Sequence, residues 1–182
     1  MRHRHLTCFV SLGRDRDPGS VYVDPDTGRP RVIYTPSAFD RANLLEGVIG
    51  LARICHATGA LEIHTCLAGA KPFVARRRGA ERRQGGDDDP EFEEWLRSLR
   101  SVGNGVPETP TGTAHQMGSC RMSTTEEDGV VDPRGRVWGV RDLYVADASV
   151  FPSASAVNPQ ITTMAIADWI ARGVDEDLGP PH

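Results

Sequence analysis

Two short segments carry side chains that could do chemistry together. The first is His115-Gln116-Met117-Gly118-Ser119-Cys120-Arg121-Met122, which sets a histidine among small residues just after Thr111-Gly112-Thr113-Ala114. The second runs Asp147-Ala148-Ser149-Val150-Phe151-Pro152, crosses Ser153-Ala154-Ser155-Ala156, and enters Asn158-Pro159-Gln160-Ile161-Thr162. An imidazole has an unperturbed pKa of about 6.5, so it can take and return a proton near neutral pH. Strand, tight turn, small-residue loop and helix start are expected in that order along the second segment. A helix start aims free N–H groups and partial positive charge at whatever lies above it. Small residues let a bulky planar ligand approach the backbone. The pattern suits an anionic or electron-rich ring beside a proton acceptor. A core histidine with its hydrogen bonds satisfied, next to an ordinary capped helix, would use the same residues, and spacing alone leaves both readings open.

Other candidates are weaker. Cys55-His56 and His64-x-Cys66 bring two thiols and two imidazoles within twelve residues, so a zinc site is conceivable. However, Cys55 belongs to an apolar helix face, and a buried thiol with exposed imidazoles is the plainer expectation. Cys120 could be a nucleophile, but a buried thiol is usually inert. His3, His5 and His182 are terminal. Trp95, Trp138 and Trp169 are expected in the core.

The elements that must position these groups can be read from periodicity. Val21-Tyr22-Val23 and Arg31-Val32-Ile33-Tyr34 flank the turn Asp24-Pro25-Asp26-Thr27-Gly28, which predicts a hairpin. Ser37 with Asp40 is a capping pattern, apolar residues from Leu44 to Cys55 follow at helical spacing, and Gly59 is placed to close the helix. Leu61, Ile63 and Thr65 alternate as a strand. Residues 75–90 hold Arg76-Arg77-Arg78, Arg82-Arg83 and Asp87-Asp88-Asp89 with almost nothing apolar, which reads as a solvated mobile loop. Asp89 and Pro90 start a helix with Phe92, Trp95, Leu96 and Leu99 on one face. Val130-Val131-Asp132 and Arg136-Val137-Trp138 suggest a second hairpin, and Leu143–Ala146 a buried strand. Asn158 as N-cap and Pro159 at the first position open a helix from Ile161 to Ala171, ended by Gly173.

The chain has 182 residues, of which 38% are hydrophobic, 6% aromatic and 25% charged, a size for one domain or part of a larger one. Its 21 basic against 25 acidic residues give a net charge of −4, which argues against a phosphate backbone as partner. No run of 18 apolar residues occurs, so no transmembrane helix is expected. The patch Leu6–Leu12 is too short and polar for a secretory signal, and a cytoplasmic location is the expectation. Four dispersed cysteines without a C-x-x-C do not demand a disulfide framework.

The order and spacing over Thr113–Gly173 resemble the C-terminal signature of the glucose–methanol–choline (GMC) family of FAD-dependent oxidoreductases. The matching residues are His115 to Met122, Val131-Asp132, Val137-Trp138-Gly139-Val140, Leu143 to Ser149 with Pro152, and Asn158-Pro159 with Thr162. Gly13-Arg14-Asp15, the hairpin at 21–34, Asp40-Arg41 with Glu46-Gly47, and Ala57-Thr58-Gly59-Ala60 add a weaker likeness to the long-chain alcohol oxidase and dehydrogenase members. Family members begin with a dinucleotide-binding βαβ unit carrying G-x-G-x-x-G, and this sequence has none. It is therefore similar to the C-terminal part of such an enzyme, incomplete without an N-terminal FAD-binding half.

The resemblance implies an α+β fold. Residues 1–112 would form a substrate-domain portion with an antiparallel sheet and covering helices. Residues 113–174 would form a catalytic, FAD-contacting strand–loop–helix segment, and 175–182 a tail. It implies that His115 is the general base for an alcohol whose hydride goes to flavin N5, and that Asn158 hydrogen-bonds the substrate oxygen. It further implies that Asp147 and Ala148 meet the ribityl–phosphate region of FAD, with Pro159, Gln160 and Thr162 near the pyrimidine end of the ring. A primary or long-chain alcohol would be the substrate. A rival expectation is a non-catalytic or complementing subunit that keeps the fold and does not bind FAD alone.

Overall fold

The computed structural model describes residues 5–75 and 89–179. His3, His182 and the charged stretch expected as a loop, apart from its ends, lie outside the described residues. Two compact units form, one from the chain up to Gly13 with Thr35–Thr111, the other from Arg14–Tyr34 with Gly112 onward.

The first unit is built on two helices. Helix α1, Ala38–Ala57, starts at Ser37, whose hydroxyl oxygen accepts from the Asp40 amide at 3.2 Å. It ends as expected, with Gly59 at φ +83° and its amide donating to His56 O. Helix α2, Pro90–Val102, is capped by Asp89, which accepts from the amides of Glu91 and Phe92. Ile49, Ala52 and His56 of α1 are buried, as are Phe92, Trp95, Leu96 and Leu99 of α2. Between them in sequence, Glu62–Ile63 pairs antiparallel with Phe73–Val74, and Ile63, Leu67 and Phe73 complete the core. Arg53 bonds Glu93 and Arg100 bonds Glu46, so the two helices run antiparallel. His56 departs from the expected exposed imidazole. It is buried, stacks on Phe92 at 3.9 Å and 8°, and meets Asp89 Oδ2 at 3.1 Å. Its place four residues after Ala52 puts it on the buried face, and the cap carboxylate satisfies it there.

The second unit contains the hairpin of Ser20–Val23 with Pro30–Ile33, close to the predicted bounds. Its eight strand residues are all exposed. The small core of this unit is Val131, Val150 and Ile170, with Met122, Val137, Tyr144, Val145, Ile166 and Val174 against it.

Sequence and structure part company in this unit. Residues 130–146 form single β-bridges, Met122 with Val131, Val131 with Val137 and Arg136 with Tyr144, rather than a hairpin and a buried strand. Their amides are spent in turns and crossings instead, such as Gly135 to Asp132 O and Val145 to Gly135 O, and Leu143 is 48% exposed. Gly135 sits at φ +78°, and a Cβ there would come within 2.8 Å of Ile170 Cδ1. The last helix, α3, spans Gln160–Leu178, so it runs through Gly173, and residues 175–178 are helical rather than tail. Gly173 is buried beneath the Arg134 side chain, so its glycine serves packing and not termination. Trp169, expected in the core, is 61% exposed and donates to Pro133 O at 3.2 Å.

The fold is thus mixed α and β with small antiparallel sheets. Among the described residues, no helix is long and apolar enough to cross a membrane.

Candidate functional site

The histidine segment is fastened to the turn that precedes the asparagine. Asp147 caps a 3₁₀ turn, Ala148–Val150, by accepting from the Ser149 amide at 2.7 Å. The Ser149 hydroxyl and amide hold the Asp147 carboxyl below the usual carboxylate range, against a smaller opposing effect of burial. The three carbonyls of that turn then receive alternate amides of residues 118–122: Gly118 to Ala148 O at 3.1 Å, Cys120 to Ser149 O at 2.9 Å, and Met122 to Val150 O at 2.9 Å. His115 enters this lacing half-buried, its amide donating to Thr113 Oγ1 at 3.0 Å.

The same unit holds Asp132, which the sequence did not single out as functional. It is buried, accepts from the amides of Arg134 and Arg136, and pairs with Arg136 Nε at 2.7 Å. Burial alone would push its carboxyl up, but these donors outweigh burial and hold it low. Arg136 also lies 3.8 Å from Asp177, which accepts from the Tyr144 hydroxyl, so the network ties the turns to the end of α3. The available signal was the pair Asp132 and Arg136, four apart across Pro133-Arg134-Gly135.

Past Phe151 the chain crosses a small-residue loop, half-buried at Ala154–Ala156, to Asn158 and α3. Asn158 was expected to cap this helix. Instead Pro159, already at φ −82° and ψ −1°, is the N-cap residue, with no side-chain cap, and its carbonyl accepts from Thr163 N and Oγ1. The helix therefore opens one residue later, and the Asn158 amide is not consumed by capping. Asn158, Gln160 and Thr162 are exposed and Pro159 is half-buried. Among the described residues, His115 and Asn158 share no hydrogen bond. No group of three or more potential metal ligands converges among the described residues either, and the four cysteines are free thiols.

A family model described as GMC oxidoreductase matches residues 14–167. The chain belongs to the GMC oxidoreductase family. It is 31% identical to the long-chain-alcohol oxidase FAO3 of Arabidopsis thaliana over 97% of this chain and 22% of that protein. It is 35% identical to FAO1 of the same plant over 96% of this chain and 21% of that protein. The chain thus spans about a fifth of the length of the curated relatives it matches. A solved structure of Aspergillus oryzae formate oxidase, from work on FAD modification, superposes with a TM-score of 0.52. That match has 21% identity and covers 88% of this chain and 25% of that one, which shows a shared fold.

GMC oxidoreductases are FAD-dependent, and the local structure fits the ring end of that cofactor. The first-turn amides of α3 face no capping side chain. Beside them Val157 and Ile161 are 60% and 76% exposed, an apolar surface next to amide donors. A planar ring with an electron-rich edge needs that combination.

Proposed function

We propose that this chain is the C-terminal, catalytic portion of a flavin-dependent oxidoreductase that oxidises a primary or long-chain alcohol to the aldehyde. The observation that carries the reading is the lacing of the His115 segment onto the turn at 148–150, whose chain leads directly to Asn158 and an uncapped helix start. The names of the plant relatives supply the substrate class. In this reading residues 1–112 form the substrate-domain portion and 113–174 the catalytic segment.

When bound, FAD supplies the acceptor for the hydride that leaves the carbinol carbon. The imidazole of His115 accepts the hydroxyl proton as the C–H bond breaks, so the developing carbonyl need not carry an alkoxide charge. The amide N–H of Asn158 donates to the same oxygen and holds the alcohol in place without adding a charge. Asp147 and Ala148 seat the ribityl–phosphate region, largely through backbone. Pro159, Gln160 and Thr162 bring the start of α3 to the pyrimidine end, where the helix favours negative charge by roughly 0.3–1 kcal/mol, more when partly buried. The adenosine end has no cradle in these residues, so the partner is an N-terminal FAD-binding part.

The test is co-expression with such a part, followed by an absorbance spectrum and an alcohol screen. His115→Ala is expected to lower turnover about 100-fold or more with flavin retained, and unchanged turnover removes His115 from the role. The 182-residue chain alone is expected to bind FAD weakly or not at all. A stoichiometrically yellow preparation of it contradicts the division of labour proposed here.

A further inference from the structure

We propose that Arg14 is a positioning residue for Asn158, holding in register the loop that presents the asparagine to substrate. The inference rests on the reading of Asn158 given above.

The loop between Phe151 and Pro159 has little to hold it. Phe151 is 3% exposed and anchors one end in the core. Pro152 and Ser153 are exposed, and Ala154, Ser155 and Ala156 are half-buried but offer only small side chains to packing. Inside the loop, the Ser155 hydroxyl donates to Val157 O at 2.6 Å. Among the described residues, the hydrogen bonds that reach positions 152–157 from elsewhere in the chain come from Arg14. Its Nε donates to Ala154 O at 3.2 Å and its Nη2 to Ser153 Oγ at 3.5 Å, across 140 and 139 positions of sequence. A guanidinium is a rigid fork, so two donors bonded to acceptors on neighbouring residues fix direction as well as distance.

That fastening propagates to Asn158. Ala156 stands at φ +61°, a region an L-residue with a Cβ enters only under constraint. Pro159, one residue beyond Asn158, has φ locked by its ring. With Ala154 tied by Arg14, Ala156 held left-handed and Pro159 fixed, few backbone rotations remain to set where the carboxamide points. Asn158 itself is exposed and unused in capping, so its own side chain does not settle the matter. The arrangement also gives a use to Arg14, which the catalytic chemistry does not employ. Because the Arg14 bonds are exposed, they add little to global stability, and the variants will fold.

Backbone NMR relaxation on the full chain tests this without activity. Arg14→Ala and Arg14→Lys are expected to lower the order parameters of the amides at 153–158 from about 0.85 to below about 0.6, leaving Gly118–Met122 and α1 as before. In the enzyme completed by its FAD-binding part, Arg14→Ala should lower kcat roughly 10- to 100-fold with KM nearly unchanged. Arg14→Lys should rescue little, since an ammonium cannot span both acceptors. Order parameters unaltered at 153–158, or lowered equally throughout the unit, overturn the proposal. So does normal kcat in Arg14→Ala when Asn158→Ala is inactive. If Asn158→Ala itself turns over normally, the catalytic reading of Asn158 fails, while the relaxation data still decide whether Arg14 holds the loop.

Discussion

The two units of this chain are stabilised by different physics. In the first, nine buried apolar residues form one cluster, with an aromatic group of Phe73, Phe92 and Trp95 whose ring centroids lie 5.2–5.7 Å apart. In the second, three fully buried residues are surrounded by capped turns, single bridges and a carboxylate network. The first can absorb substitution of its polar surface but not of its core. The second depends on individual hydrogen bonds and close approaches, each of which sets where a neighbouring loop lies. The candidate chemistry sits in the second. Extended segments and turns leave backbone and side chains open to a ligand, whereas a helix pair consumes both.

The sharpest way to break the contrast is to remove core volume from the first unit. Leu99 has no exposed surface, and Leu99→Ala is expected to cost about 2–5 kcal/mol. Urea denaturation followed by amide exchange should show α1 and α2 opening first, with the Gly118–Met122 lacing retained. Loss of both units together would show that they are not independently stabilised.

Next in size is Gly135→Ala. The new Cβ would overlap Ile170 and occupy a positive-φ position, so a loss of about 1–3 kcal/mol is expected in the second unit. Wild-type melting of this variant would show that the Gly135–Ile170 approach is not tight.

Asp132→Asn sharpens the comparison through pH. The folded carboxyl lies below its unfolded value of about 3.9, so its stabilisation is complete above that pH. It is lost as pH falls through the lower, folded value. The variant should lose about 1–3 kcal/mol near neutrality, and its second unit should lose most of this acid dependence below about pH 4. An unchanged acid limb would assign it to other carboxylates.

Arg172→Ala should do least. Its bond to Asp168 is on the surface, with both side chains more than 60% exposed, and such a pair contributes about 0–1 kcal/mol. A measurable shift in melting would show that α3 is more marginal than its packing suggests.

The helices of the first unit were legible because their signals are local. Ser37, Gly59, Asp89 and Pro90 each act within a turn of where they stand, and the spacing of Phe92, Trp95, Leu96 and Leu99 defines a face without reference to anything else. The second unit was read less well for the converse reason. Leu143–Ala146 looks like a strand by composition, but a strand needs a partner along its length, and among the described residues it finds only the bridge at Tyr144. Gly173 looked like a stop because isolated glycines often are. Its actual neighbour, Arg134, is 39 positions away and invisible to a local rule. His56 was misplaced because its partner Asp89 lies 33 residues on.

By itself the sequence determined the family and the helices whose caps are written beside them. Those properties depend on residue types at short separations. Tertiary structure alone decided that the Gly118–Met122 amides would find the carbonyls of 148–150. It likewise decided that Asn158 would stand clear of the cap and that Arg14 would reach the loop 140 residues away. Such contacts cost loop-closure entropy and are fixed only when the whole unit packs.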